Sequence, residues 1–313
     1  MERKPEVEVF FDYEDEIVNP CWDNVFKAIF TKDAAQSRGA LQDLLSAIVG
    51  RDLTVVTITA NEPPVNSTNE RQIRYDINCR FSDNELCDIE MTLKPDAFEP
   101  CRMEYYLSKL YCSQDIRGKD KSYGDLQHAY QVSFLVESPV INDKSYLHHF
   151  MFYDAERMTS LDGRTHIITI ELSKLEQVES KPVCEMSALD RWAMFFKHAE
   201  NRDKRDLIND LVRSEEGIKM AGEILLGFSR DEVERARLVS EYKYEVDLQS
   251  HIVNAKREGR AEGRAEGRAE GIVEGVRNVA VSMLESGEDA EKIIRLTGLT
   301  REQVESLSPD YRY

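Results

Sequence analysis

Two alternating segments, Ile73 to Phe81 and Leu86 to Leu93, constrain this chain more than anything else in it. In the first, Ile73, Tyr75, Ile77, Cys79 and Phe81 alternate with Arg74, Asp76, Asn78 and Arg80. In the second, Cys87, Ile89, Met91 and Leu93 alternate with Asp88, Glu90, Thr92 and Lys94. A strict period of two sends successive side chains to opposite faces, which predicts two half-buried strands. Ser82, Asp83 and Asn84 between them are turn chemistry. The two apolar faces lie on the same side only if the loop has an odd number of residues, because face and register share that period. Asp76 then sits opposite Glu90 or Thr92. Directly opposed Cβ atoms are roughly 4.5–5.5 Å apart, a gap that one hard cation can bridge through two carboxylates. The same pattern also suits an ordinary solvated sheet face, so the neighbouring segments have to decide.

Upstream, Trp22, Val25, Phe26, Ile29 and Phe30 recur at helical spacing, with Asp23 and Lys27 four residues apart beside the stripe and Pro20 suiting a helix start. Leu41, Leu44, Leu45, Ile48 and Val49 predict a second helix with Gly50 as its C-cap. A strand from Leu53 to Thr59 follows. Downstream, a helix beginning after Pro100 lines up Arg102, Tyr106, Lys109 and Ser113 on one side, and Tyr130 to Val136 reads as a buried strand. The expected order is therefore helix, three strands, helix, strand, the second helix lying ahead of the strands. Leu147 to Tyr153 and His166 to Leu172 add further strands.

The stretches DNVFKAIF, IRYDINCRF, CDIEMT, CRMEYYLSKLYCSQDIRGKDKSYGDLQHAYQVSFLV and THIITIELSKL together resemble the recombination-promoting nuclease group, bacterial PD-(D/E)XK nuclease-fold proteins often labelled transposases. The resemblance runs from about Asn19 to Leu175 and continues in the C-terminal tail. It implies an α/β fold with a PD-(D/E)XK nuclease-like core, a mixed central sheet flanked by helices, followed by an α-helical C-terminal region. It also implies a DNA endonuclease dependent on Mg²⁺ or Mn²⁺. In that chemistry the metal, held by an Asp and a Glu on adjacent strands, polarises the phosphate and activates a water. By resemblance, Asp76 and Glu90 are the metal ligands, Asp23 matches an acidic residue of the first helix, and Lys27 matches the lysine after it.

The chain departs from the pattern two positions after Glu90. The residue there is usually Gln or Lys, and here it is Thr92, whose hydroxyl is shorter and uncharged. Lys94 shares that strand face if the strand continues, so its long side chain could reach back, or it could solvate the strand end before Pro95. The departure bears on catalysis rather than on fold.

With 41% hydrophobic residues, the 313-residue chain can bury a sizeable core. Its 32% charged residues and mean hydropathy of −0.51 suit a soluble protein. No apolar run approaches the roughly 20 residues that cross a bilayer, and the start lacks a signal-peptide core, so no membrane association and a cytoplasmic location are expected. A net charge of −18 opposes unselective binding to a polyanion. Arg117, Lys119 and Lys121 offer a local basic loop, diluted by Asp115 and Asp120. The six cysteines form no C-x-x-C pair, which argues against structural zinc. His148 and His149, as strand neighbours, are expected to point to opposite faces.

Five regions are expected: an N-terminal arm (1–18), the nuclease-like domain (19–181), a helical extension (182–250), a glycine-repeat helix or linker (251–277) and a small helical, helix-turn-helix-like segment (278–313). Glycines recur every fourth position at Gly259, Gly263, Gly267, Gly271 and Gly275. On a helix they form a slowly drifting seam that lets a partner helix approach, which predicts a homo-oligomer through the C-terminal helices. A repeat-expanded flexible linker is the alternative. Thr300 and Gln303 fit a capping box. Three functions follow: a metal-dependent DNA endonuclease, a degenerate nuclease fold that binds DNA or partners without cutting, or a helical self-assembly protein.

Overall fold

The acidic hairpin sets the frame of the molecule. The structure is a computed structural model and describes residues 10–31, 35–58, 74–161 and 163–307. Among these, helices α1 (Asp23–Thr31) and α2 (Ala35–Val49) precede strands β1 (Val55–Ile58), β2 (Ile77–Phe81) and β3 (Leu86–Thr92). Helix α3 (Glu99–Cys112) leads to β4 (Ala129–Leu135), β5 (Leu147–Phe150) and β6 (Thr165–Glu171). The helices α4 (Glu176–Glu179), α5 (Ala188–His198), α6 (Arg205–Ser214) and α7 (Glu216–Arg230) follow. The six strands form one mixed sheet in the order β1-β2-β3-β4-β6-β5. β3, β4 and β6 are parallel, while the β1–β2, β2–β3 and β5–β6 pairs are antiparallel.

The expected odd loop is the three-residue turn Ser82-Asp83-Asn84. Phe81 N donates to Glu85 O at 3.0 Å, Asn84 N donates to Phe81 O at 3.0 Å, and Asn84 takes a left-handed φ of 67°. Asn tolerates that conformation better than most residues. The register pairs Ile77 with Ile89 and Cys79 with Cys87, so one further step puts Asp76 opposite Glu90. Ile73 and Thr59 lie outside the described residues. Between Ile77 and Phe81 the alternation holds, but it stops there. Tyr75 packs with Leu86, Leu107, Leu110 and Ala129 beneath α3 instead of joining Ile77 in the main core. With the ladder ended at Ile77, nothing enforces period two on the residues before it.

The sheet has two unlike faces. Ile77, Cys79, Phe81, Cys87, Ile89, Met91, Val132, Phe134, Ile168 and Ile170 form the apolar one and share a core with α1, α2, α5, α6 and α7. Its centre is aromatic: Phe134 and Phe196 lie 5.0 Å apart between ring centroids, Phe26 and Phe30 5.1 Å, Trp192 and Phe196 5.7 Å. Trp192 Nε1 donates to Asp43 at 2.7 Å, satisfying the one polar atom of a fully buried indole. α2 and α7 touch so closely that a Cβ on Gly217 would lie 2.3 Å from the Asp43 carboxylate. The boundary expected near Lys181 and Pro182 does not interrupt this core. The described start of the chain is tied into it as well, since Asn209 accepts from Phe11 N at 2.8 Å and donates to Phe11 O at 3.0 Å.

The opposite face is covered by α3, which packs on β3, β4 and β6. One sequence expectation changes in detail: β5 ends at Phe150, short of Tyr153. The helical extension is made of separate helices: the Asn201 side chain caps a short 3₁₀ turn between α5 and α6, and the next helix starts after Asp231, beyond α7.

That next helix is α8 (Glu232–Glu285), and it carries the whole glycine repeat as helix, not as irregular linker. Its start is anchored within the first unit, where Tyr242 stacks on Trp22 at 4.2 Å and Leu238 O accepts from Asn24. A second unit begins at Tyr244. It includes α9 (Ala290–Thr297) and α10 (Arg301–Leu307), which close a small core of Ala280, Ile293 and Val304. Left-handed Gly287 and Gly298 make its turns. The capping box is formed: Gln303 N donates to Thr300 Oγ1 at 3.2 Å and Thr300 N to Gln303 Oε1 at 2.8 Å.

Phe196 contacts Phe26, Phe30, Phe134 and Trp192. Phe196→Ala is therefore expected to cost about 3–5 kcal/mol, measured as a lower midpoint in urea unfolding.

Candidate active site

The polar face beneath α3 is where the acidic residues meet. Asp88, Glu90 and Thr92 alternate along β3, and the β3–β4 register sets Asp88 beside Gln131 and Glu90 beside Ser133. Asp88 is fully buried and Glu90 only 5% exposed, so this is not the solvated face that a two-stranded hairpin alone would present. Among the described residues, the carboxylate of Asp88, the amide of Gln131 and the hydroxyl of Ser133 make no hydrogen bond of ordinary geometry, although Gln131 lies close enough to Asp88 to stabilise its charge. Each such buried group costs roughly 1–3 kcal/mol. A fold selected for stability alone would avoid three in a row.

Asp76 and Glu90 lock each other across the end of the ladder. Asp76 N donates to Glu90 Oε1 at 3.0 Å, and Met91 N donates to Asp76 Oδ2 at 3.0 Å. Lys27 on α1 reaches Asp76 Oδ1 at 2.9 Å and Asp23 Oδ1 at 2.7 Å. Asp23 thus meets the pair through the lysine four residues on. These four residues, singled out from two separate stretches of sequence, come together in space.

Thr92 and Lys94 fare differently. Thr92 lies at the mouth of the site beside Glu90. Lys94 falls past the end of β3, is 69% exposed and points to Glu137 at 3.9 Å. It does not reach back to the site. The cation beside Thr92 comes instead from α3: Arg102 Nη2 donates to Thr92 Oγ1 at 2.6 Å, pairs with Glu99 Oε1 at 2.8 Å and approaches Glu90 Oε2 at 3.8 Å. Glu99 is buried and also accepts from Thr92 Oγ1 at 3.3 Å. Sequence reasoning placed Arg102 on the correct side of the helix but gave it no role. Asp88 was read only as one residue of the polar face and Glu99 not at all, because their burial comes from the packing of α3 over β3.

Burial governs the protonation of these groups. It drives the Glu90 carboxyl up to about 8, and the charge on Asp76 adds to the rise. It raises Asp76 to about 6, with Asp23 adding and Lys27 opposing. Burial alone would lower the Lys27 ammonium, but Asp76 and Asp23 outweigh it and hold the lysine charged. Asp88 is pushed well above the carboxylate range by burial, then by Glu90 and Asp76. Perturbed carboxyls gathered beneath one helix mark a functional site more often than a structural one.

A family model described as PD-(D/E)XK nuclease family transposase matches residues 20–255. The chain belongs to this family. The match takes in α1, the acidic hairpin, α3 and the helices through the first part of α8. No curated protein and no solved structure matches the chain. The mixed sheet flanked by helices, followed in the chain by a long helical region, is consistent with the PD-(D/E)XK nuclease-like α/β fold, and membership supports a nuclease role tied to mobile elements. Among the described residues no helix is long and apolar enough to cross a membrane.

PD-(D/E)XK nucleases typically use divalent metals, and the donor set can be tested against that need. Among the described residues no three His, Cys, Asp or Glu side chains converge into a closed metal cage. Two carboxylates on adjacent strands remain, hard oxygen donors whose side chains keep 13% and 7% of their surface exposed. That is the kind of site a small, strongly hydrated divalent cation accepts, since it keeps several of its waters. The residues fit.

The raised carboxyls make metal-free stability depend on pH. Asp76 and Glu90 bind protons more tightly in the folded chain. Their contribution is therefore full below the ordinary carboxylate range and is lost as pH rises through about 6 and then about 8. In EDTA, the wild-type melting temperature is expected to fall between about pH 5 and pH 9. Glu90→Gln, which cannot ionise, is expected to flatten that fall, as read by thermal denaturation across the range.

Proposed function

We propose that the protein is a DNA endonuclease that hydrolyses phosphodiester bonds with Mg²⁺ or Mn²⁺, in recombination or the movement of mobile elements. The observation that carries this reading is the Asp76–Glu90 pair, buried, interlocked across two strands and lodged in a member of a nuclease family. Asp76 and Glu90 would hold the cation through their carboxylate oxygens. When bound, such an ion supplies Lewis-acid polarisation of the phosphate and a water of lowered pKa.

The protein's own residues prepare the rest. Lys27 keeps Asp76 turned toward Glu90 and ties Asp23 to the pair. Asp76 N fixes the Glu90 carboxylate by a direct hydrogen bond. α3 keeps water from Asp88 and the inner part of the face. Residues 19–181 are the part that carries this chemistry, with 182–250 as its helical extension. Residues 251–277 form a stalk for homo-oligomers and 278–313 a helical cap. At a net charge of −18, contact with DNA is expected to be transient and weakened steeply by salt, and the protein is expected to work in the cytoplasm.

One observation favours a second reading. Thr92 brings neither charge nor amide to its position, and Lys94 is turned to Glu137, which would suit a nuclease fold that binds DNA without cutting. Nicking of supercoiled plasmid decides between them. With Mg²⁺ or Mn²⁺ the wild type is expected to nick and then linearise the plasmid, and EDTA, Asp76→Ala or Glu90→Ala to reduce this to background. A folded wild-type protein that retains DNA but leaves it intact under either metal would sink the endonuclease reading and favour the second.

A further inference from the structure

We propose that Arg102, projecting from α3, is the phosphate-binding cation of this site and stands in for the basic or amide group absent at Thr92. The inference rests on the nuclease reading above and names the group that would touch the DNA backbone.

The geometry singles Arg102 out among the cations nearby. Lys27 is held between Asp76 and Asp23 on the α1 side. Lys94 lies beyond the strand end, against Glu137. Arg102 alone of the three reaches both the residue at the third motif position and the glutamate two residues before it. Its side chain is 40% exposed, so it borders solvent where a DNA strand would arrive. Two of its contacts are short, to Thr92 Oγ1 at 2.6 Å and Glu99 Oε1 at 2.8 Å, and its guanidinium lies 5.8 Å from the Tyr106 ring centroid.

Among the described residues, the one hydrogen bond that the Arg102 side chain donates leaves from Nη2, which also makes the contacts to Glu90 and Glu99 given above. The guanidinium carries further N–H donors on Nη1 and Nε in a planar fork, the arrangement that matches two phosphate oxygens. Thr92 then has a purpose of its own. A hydroxyl is short enough to leave room for the guanidinium and accepts its hydrogen bond, whereas Lys or Gln there would occupy the same space. A purely structural Arg102, serving only to neutralise buried Glu99, would need neither the bond to Thr92 nor exposure to solvent.

Two measurements on the full-length protein test this. The first is binding of a short duplex DNA in EDTA over a range of salt, for wild type, Arg102→Ala and Arg102→Lys. Loss of one phosphate contact should reduce the slope of log K against log salt by about 0.9 in Arg102→Ala, with Arg102→Lys keeping it. An unchanged slope in a folded Arg102→Ala protein overturns the proposal. The second is plasmid nicking by Arg102→Ala, Arg102→Lys and the double variant Thr92→Lys with Arg102→Ala. Nicking is expected to fall roughly 100-fold in Arg102→Ala, on the scale of removing one transition-state donor. It should return in part when a lysine is placed at either position. Retained nicking in Arg102→Ala overturns the catalytic part. If Arg102→Ala does not fold, Arg102→Gln, which keeps a donor to Glu99 without the charge, takes its place in both measurements. A wild type that cuts nothing defeats the proposed function instead, and the salt slope alone then decides whether Arg102 meets a phosphate.

Discussion

The structure turns on an electrostatic conflict. Asp76 and Glu90 face each other across two strands, with Asp88 two residues further along the same face, under a helix that keeps water away. Like charges this close in a poorly solvated place cannot all be ionised. The fold meets the conflict in two ways. Burial favours the protonated forms of Asp88 and Glu90, and cations are brought in from both sides, Lys27 from α1 and Arg102 from α3. The hairpin supplies the acids, and the two helices that flank the sheet supply their counter-charges.

The division of labour between the sheet faces follows from this. The apolar face is crowded with aromatic side chains and shared by α1, α2 and residues of α4 through α8, so it can carry the stability that the polar face gives up. The poorly satisfied side chains of Asp88, Gln131 and Ser133 are tolerable because the Phe26, Phe134, Trp192 and Phe196 cluster lies on the other side of the same strands. Stability and chemistry are separated by the thickness of one sheet.

How much of this the sequence disclosed depended on whether the signal was local. The hairpin, its odd turn and the apolar stripes of α1 and α2 are periodic patterns, and they appear in the structure with small changes at their ends. Asp23, Lys27, Asp76 and Glu90 were each readable, and all four meet. Lys94 could not be judged from spacing, because strand β3 stops at Thr92 and the lysine leaves the sheet. Arg102 and Glu99 were hidden for the opposite reason: their importance arises from how α3 lies across β3, a tertiary fact with no period. Tyr75 misled because alternation persists in the letters after the ladder has ended.

The three-residue turn at Ser82 to Asn84 has one more consequence, for how this chain can change over generations. Exposed loops usually drift in length at little cost, since each doubling adds only about 0.6 kcal/mol of closure entropy. Here the length of the turn is what assigns faces. One inserted or deleted residue that left β3 paired with its partner would rotate the whole strand by one position. Cys87, Ile89 and Met91 would turn toward α3, and Asp88 and Glu90 toward the aromatic core. The turn's residues face solvent and leave room for other side chains wherever the left-handed position is respected, while its length is fixed by the pairing as firmly as any buried side chain is fixed by packing.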